Sequence, residues 1–120
     1  MARILAVDDS PSMRQIVSTA LAGAGHEVAQ AADGVEALEI AGRAKFDLVI
    51  TDVNMPNMDG ITLVRELRNL ANYKLVPLLL LTTEATRERK QEGRAAGATG
   101  WLVKPFNSDM LIATIAKVLA

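Results

Sequence analysis

Short aliphatic runs and longer stretches of helical spacing alternate five times along the 120 residues. The runs at 3–7, 27–30, 47–52, 76–82 and 100–104 have strand length and strand composition. Pro77 is tolerable at the first position of its strand. Between the first two runs, Met13, Ile16, Val17, Ala20, Leu21 and Ala24 fall on one face of a helix that Ser10 can cap, Pro11 can open and Gly25 can stop. Asp33 and Glu36 make a capping-box-like start for a second helix over 34–43, Val64, Leu67 and Leu70 stripe a third, and Leu111, Ile112, Ile115, Val118 and Leu119 stripe the last. Strands alternating with helices over so few residues predict an α/β fold with a parallel sheet covered on both faces by right-handed crossovers.

The segment between the fourth and fifth strands breaks the pattern. From Glu84 to Gly100 there is no large apolar side chain; Glu84, Arg87, Glu88, Arg89, Lys90, Glu92 and Arg94 leave only alanines to bury. It reads either as a solvated charged face or as a shallowly anchored helix that can shift between two positions.

A chain of this size, half of it hydrophobic, can bury the core of one domain, and the expectation is a single domain over residues 1–120 with no linker, repeat or further domain. Thirteen basic against fourteen acidic residues give a net charge of −1, so no overall field draws the protein to nucleic acid or to an anionic membrane. The longest aliphatic run, Leu78 to Leu81 extended by Val76-Pro77, is too short to span a bilayer, and no signal-peptide core opens the chain. The expectation is a cytoplasmic monomer. With no cysteine, disulfides, thiolate metal sites and cysteine nucleophiles are excluded.

In an open parallel sheet, ligands bind outside the carboxyl ends of the strands. Asp8 and Asp9 close the first aliphatic run, Asp52 the third, Thr82 the fourth and Lys104 the fifth, so three carboxylates, a hydroxyl and an ammonium converge on one rim. Gathering three anions is costly: at an effective dielectric near 20 and ~5 Å separation each pair repels by roughly 3 kcal/mol. Such a cluster suits a hard divalent cation, Mg²⁺, whose natural ligand is a phosphoryl group. His26, at the helix–strand junction of the opposite end, is outside this chemistry, and Met13, Met55, Met58 and Met110 read as packing or loop residues.

Four segments carry a resemblance. Asp8-Asp9-Ser10, Asp52 followed by Val53-Asn54-Met55-Pro56-Asn57-Met58-Asp59-Gly60, Leu81-Thr82-Thr83-Glu84-Ala85, and Gly100-Trp101-Leu102-Val103-Lys104-Pro105-Phe106 resemble the receiver domain of two-component response regulators, most closely its single-domain chemotaxis members. The likeness covers essentially the whole chain. It implies a flavodoxin-like, doubly wound (βα)5 fold; the strand order 2-1-3-4-5, for which a chemotaxis regulator of this family is itself the standard example, comes with the resemblance and not from the spacing.

The resemblance also implies roles. Asp52 would be the phosphoacceptor, attacking the phosphohistidine of a partner histidine kinase to give an acyl phosphate. Asp9 and Asp52 would ligate Mg²⁺ directly, the backbone carbonyl of Asn54 would be a third ligand, and Asp8 would act through water. Lys104 would pair with one phosphoryl oxygen and Thr82 would donate to another, with a cis Lys104-Pro105 bond aiming the ammonium. Thr82 drawn toward the phosphoryl group would vacate space for Trp101, where tyrosine or phenylalanine is more usual. Thr83 stands where alanine is common, and its hydroxyl would compete with Thr82 or narrow the approach to Asp52. Asn54 and Glu84 would tune dephosphorylation. An effector such as the flagellar motor switch protein would meet the face formed by 84–97, 101–103 and 107–119; a phosphate sink or a phosphorelay intermediate is the alternative role. The protein would be a signalling protein with no independent substrate. A dehalogenase-type phosphatase would need a carboxylate where Asn54 stands, and a flavodoxin would need a phosphate loop where Asp8-Asp9-Ser10-Pro11-Ser12 places carboxylates. A transcription factor would need a DNA-binding module after the receiver.

Overall fold

A computed structural model of the chain describes residues 1–83 and 86–120. Each aliphatic run forms a strand of four or five residues: β1 (Arg3–Val7), β2 (Glu27–Ala31), β3 (Leu48–Asp52), β4 (Leu78–Thr82) and β5 (Gly100–Val103). Between and after them run α1 (Pro11–Gly23), α2 (Gly34–Arg43), α3 (Gly60–Arg68), α4 (Arg87–Ala96) and α5 (Ser108–Leu119), with a 3-10 turn at Ala71–Tyr73. β4 starts later than its aliphatic run predicts. Pro77 has no N–H to give and stands just ahead of the strand, where its carbonyl accepts from Val49 N at 3.1 Å.

The five strands pair in parallel in the order β2-β1-β3-β4-β5, the flavodoxin-like arrangement. Successive strand residues face opposite sides and so build two cores. Leu5, Val7, Val49, Leu78 and Leu80 pack with α2 and α3 through Ala37, Ala41, Leu63, Val64 and Leu67. Ile4, Ala6, Leu48, Ile50, Leu79 and Leu81 pack with α1 through Val17 and Leu21 and with α5 through Leu111 and Ile115. Each leucine, isoleucine or valine among them, fully buried, contributes about 1.5–3 kcal/mol.

The helix ends follow their capping chemistry. Ser10 Oγ accepts from Met13 N, Asp33 Oδ1 from Glu36 N and Asp59 Oδ1 from Thr62 N. The Glu36 carboxylate accepts from Ala32 N at 2.6 Å, one residue ahead of the cap, so the box is offset from its reciprocal form. Gly25, at φ +93°, takes the left-handed turn after α1. The apolar stripe of α1 is narrower than its spacing predicts. Val17 and Leu21 are buried and Met13 and Ala20 half-buried, while Ile16 and Ala24 are exposed. The contact line runs along 17 and 21, and position 16 is about 100° around the helix from 17.

α4 buries only Gly93 and Ala96, both in its C-terminal half. Its tail is fastened instead by Arg68, whose Nε donates to Gly97 O at 2.9 Å while Nη1 donates to Tyr73 O at 2.6 Å and Val76 O at 2.7 Å.

Candidate functional site: an acidic pocket at the strand ends

Parallel pairing sets Asp52 beside Leu81 and Thr82 beside Val103, so the carboxyl ends of the strands share one rim. Asp8 follows β1 directly, Asp52 ends β3 and Lys104 follows β5. Asp8 and Asp52 are buried and Asp9 is exposed, and one carboxylate oxygen from each lies within 4.8 Å of the other two. Lys104 Nζ bridges the two buried members, 3.1 Å from Asp8 Oδ2 and 3.3 Å from Asp52 Oδ1. The Lys104-Pro105 bond is cis, as the resemblance implies.

The two buried carboxylates are further held by main-chain donors: Ser10 N donates to Asp8 Oδ1 and Val53 N to Asp52 Oδ1, both at 2.9 Å. Among the described residues, Asp52 Oδ2 and both Asp9 oxygens accept no hydrogen bond. Burial pushes the Asp52 carboxyl above the ordinary 3.8; Lys104 opposes the shift and the neighbouring Asp8 adds to it. The donor set is all hard carboxylate oxygen, one member open to solvent, and so fits Mg²⁺.

The loop after Asp52 is fixed to α2 and α3. Gly60 N donates to Val53 O at 2.9 Å, and a Cβ at Gly60 would overlap the Asp52 carbonyl, so α3 starts hard against the peptide that carries the central carboxylate. Asn57, at φ +69°, donates to Asp33 Oδ2 at 2.8 Å. Asn54 is exposed in this loop, two residues past Asp52.

Thr82 is buried at the end of β4, where its carbonyl accepts from Lys104 N at 2.8 Å; Thr83 is exposed. Trp101 is half-buried in β5 beside Leu80 and packs toward α4, on the core that includes α2 and α3. Glu84 lies outside the described residues. His26 sits at the far end of the sheet, its Nδ1 accepting from Ala2 N at 3.1 Å. Sequence reasoning passed over two contributors. Arg14 Nη1 donates to Asp8 O at 2.7 Å, and Gly60 makes the close approach to Asp52. Arg14 left a signal, a cation one turn beyond Ser10 and off the apolar stripe of α1. Gly60 left none beyond its place after the cap Asp59.

Among the described residues no helix is long and apolar enough to cross a membrane. The family described as the response regulator receiver domain matches residues 4–116. Chemotaxis protein CheY-3 of Vibrio cholerae is 41% identical over 117 residues, 97% of this chain and 90% of that protein. The solved structure of Vibrio cholerae CheY4 is 57% identical, with a TM-score of 0.96 over 98% of both chains. That of the receiver domain of the Pseudomonas aeruginosa sensor histidine kinase PA1611, with a magnesium ion coordinated in its active-site cleft, is 30% identical, with a TM-score of 0.92 over 98% of this chain and 97% of that one. A match that starts inside β1 and ends inside α5, on a sheet of this order with its acidic pocket at the strand ends, makes the chain a member of the response regulator receiver domain family, and a CheY-like one.

Proposed function

We propose that Asp52 accepts a phosphoryl group from the phosphohistidine of a partner histidine kinase, and that residues 1–120 act as one receiver whose effector affinity this changes. The observation that carries the reading is the bridge of Lys104 across Asp8 and Asp52 inside a three-carboxylate cluster. Asp52 Oδ1 is occupied by Val53 N–H and the ammonium, so Oδ2 is the oxygen presented to phosphorus. As the new oxygen–phosphorus bond forms, the phosphorus–nitrogen bond breaks and the electron pair leaves with the donor imidazole, giving an acyl phosphate on Asp52. Lys104, half-buried and already 3.3 Å from the other oxygen of that carboxylate, Oδ1, turns from the carboxylates to a phosphoryl oxygen, and the Thr82 hydroxyl donates to another.

Asp9, Asp52 and the Asn54 carbonyl would hold Mg²⁺, with Asp8 acting through water, and the ion would supply charge neutralisation for the carboxylates and the phosphoryl group. Asn54 and Glu84 set how long the acyl phosphate survives. Thr82 and Trp101 carry the state of the pocket to the face formed by 84–97, 101–103 and 107–119. That face carries Arg87, Lys90 and Arg94 along one side of α4, none with a carboxylate in ion-pair reach among the described residues.

A chemotaxis role, with the flagellar motor switch protein as effector, fits the likeness to CheY proteins. The deciding experiment supplies a radiolabelled small phosphodonor with Mg²⁺, then measures binding to a motor-switch peptide with and without beryllofluoride. Label on the wild type and none on Asp52→Asn is expected, together with beryllofluoride-dependent binding. Undiminished label on Asp52→Asn overturns the assignment of the phosphoacceptor. Label without binding leaves a phosphate sink or relay in place of the motor ligand.

A further inference from the structure

The seat of α4 on the sheet contains a glycine that its backbone does not demand. Gly93 is buried inside α4, away from both helix ends, and it is not among the glycines with positive φ. A glycine in a helix interior is disfavoured against alanine, so something else must hold it there. A Cβ built on Gly93 would stand 2.6 Å from Trp101 Cζ2, 3.1 Å from Trp101 Cε2 and 2.8 Å from Leu80 Cδ1. Contacts of that length do not occur between packed carbons.

We propose that Gly93 couples the Trp101 side chain to helix α4, the absent Cβ being the socket in which the edge of the indole sits. Leu80 and Trp101 are direct neighbours across β4 and β5, so the socket spans the pair of strands that lead to Thr82 and Lys104. The N-terminal half of α4 buries nothing, and its tail is held through Gly97 by Arg68. Along the body of the helix, the ring edge against Gly93 joins the buried Ala96 in seating α4. Sliding α4 by one residue would bring Glu92 or Arg94 onto the ring, and withdrawing the ring would leave a void beneath the helix. The positions of Trp101 and α4 are therefore tied, and the tie is steric. Gly93 is a positioning residue: it touches no reacting group. Its signalling consequence rests on the proposed movement of Trp101; its packing role does not.

The packing half predicts a change of sign. Gly93→Ala lowers the melting temperature of the otherwise wild-type chain, whereas in a Trp101→Ala background, with the ring gone, it raises it by about 3–5 °C through helix propensity alone. Trp101 is the one tryptophan of the chain, so its emission reads the ring directly. In Gly93→Ala the emission maximum moves to longer wavelength as the ring is pushed toward water. Stabilisation in both backgrounds with unchanged emission overturns the proposal. So does equal destabilisation in both, which places the clash at Leu80. If Gly93→Ala alone does not fold, recovery of folding in the double variant supports the socket, and failure of the double variant to fold overturns it.

The signalling half uses beryllofluoride with Mg²⁺. The wild type should change its emission on addition, and folded Gly93→Ala should lose most of that change while still taking label at Asp52. A silent wild type counts against the movement of Trp101 under the proposed function. A full response retained by Gly93→Ala counts against the coupling.

Discussion

Asp52 is held in a charged state that its surroundings oppose. Burial is the main cause of its raised carboxyl, Asp8 adds to it and Lys104 works against it, so the folded chain grips a proton at Asp52 more tightly than the unfolded chain does. Stability from the protonated form is therefore complete below the ordinary 3.8 and is lost as pH rises through the raised value. At neutral pH, without divalent cation, the charge on Asp52 is a cost. Asp52→Asn should stabilise the metal-free chain by on the order of 1 kcal/mol at pH 7, and the gain should vanish in strong acid. Urea unfolding across pH measures both. Gly60 sits on the other side of the same residue. Gly60→Ala drives a Cβ into the Asp52 carbonyl, main chain that cannot step aside without moving the pocket. A loss of about 2–3 kcal/mol or more is expected, with less label at Asp52 in the fraction that stays folded. The acidic cluster could be read from the sequence because each carboxylate closes an aliphatic run. The need for glycine at 60 could not, since it depends on an approach between two backbones.

At the scale of elements, α4 is the exception. Its composition foretold weak anchoring, and only Gly93 and Ala96 are buried. Amide hydrogen exchange should find residues 87–92 less protected than 13–21 of α1, where Val17, Ser18 and Leu21 are buried. Equal protection would contradict the shallow seating. The fastening of its tail was not legible. Arg68 reads as one more cation at the end of α3, and its acceptors are main-chain carbonyls of two separate segments, which no side-chain pattern encodes. Arg68→Ala strands those carbonyls and should cost about 2–3 kcal/mol, with faster exchange spreading through 93–99. α1 shows a second limit. Helical spacing finds its apolar side but not which residues meet the sheet, so Ile16 lies on the stripe the spacing predicts and yet is 53% exposed.

Across the whole molecule, parallel order brings the ends of β1, β3 and β5 together and lets Lys104 reach Asp8 across 96 positions of sequence. The convergence on one rim followed from the strand-end rule alone, whereas the order of the strands came only with the family likeness. The charge cluster makes global stability responsive to divalent cation. Mg²⁺ at about 100 times its dissociation constant should add about 2.7 kcal/mol to the unfolding free energy, and a chelator should remove it. Asp9 separates this from a general salt effect, because it is exposed and its side chain makes no hydrogen bond or ion pair among the described residues. Asp9→Ala should leave metal-free stability within about 0.5 kcal/mol and abolish the gain from Mg²⁺. Thermal melts with and without the metal read both quantities.

The grip of Arg68 on Gly97 also gives α4 a direction. A rod clamped at one end pivots there, so displacement grows with distance from the clamp. Whatever tilts the helix is magnified toward Thr86 and Arg87, the end nearest the pocket, and dies away toward Ala96. A binding partner sensitive to small tilts does best to feel for the tip, where the arc is widest.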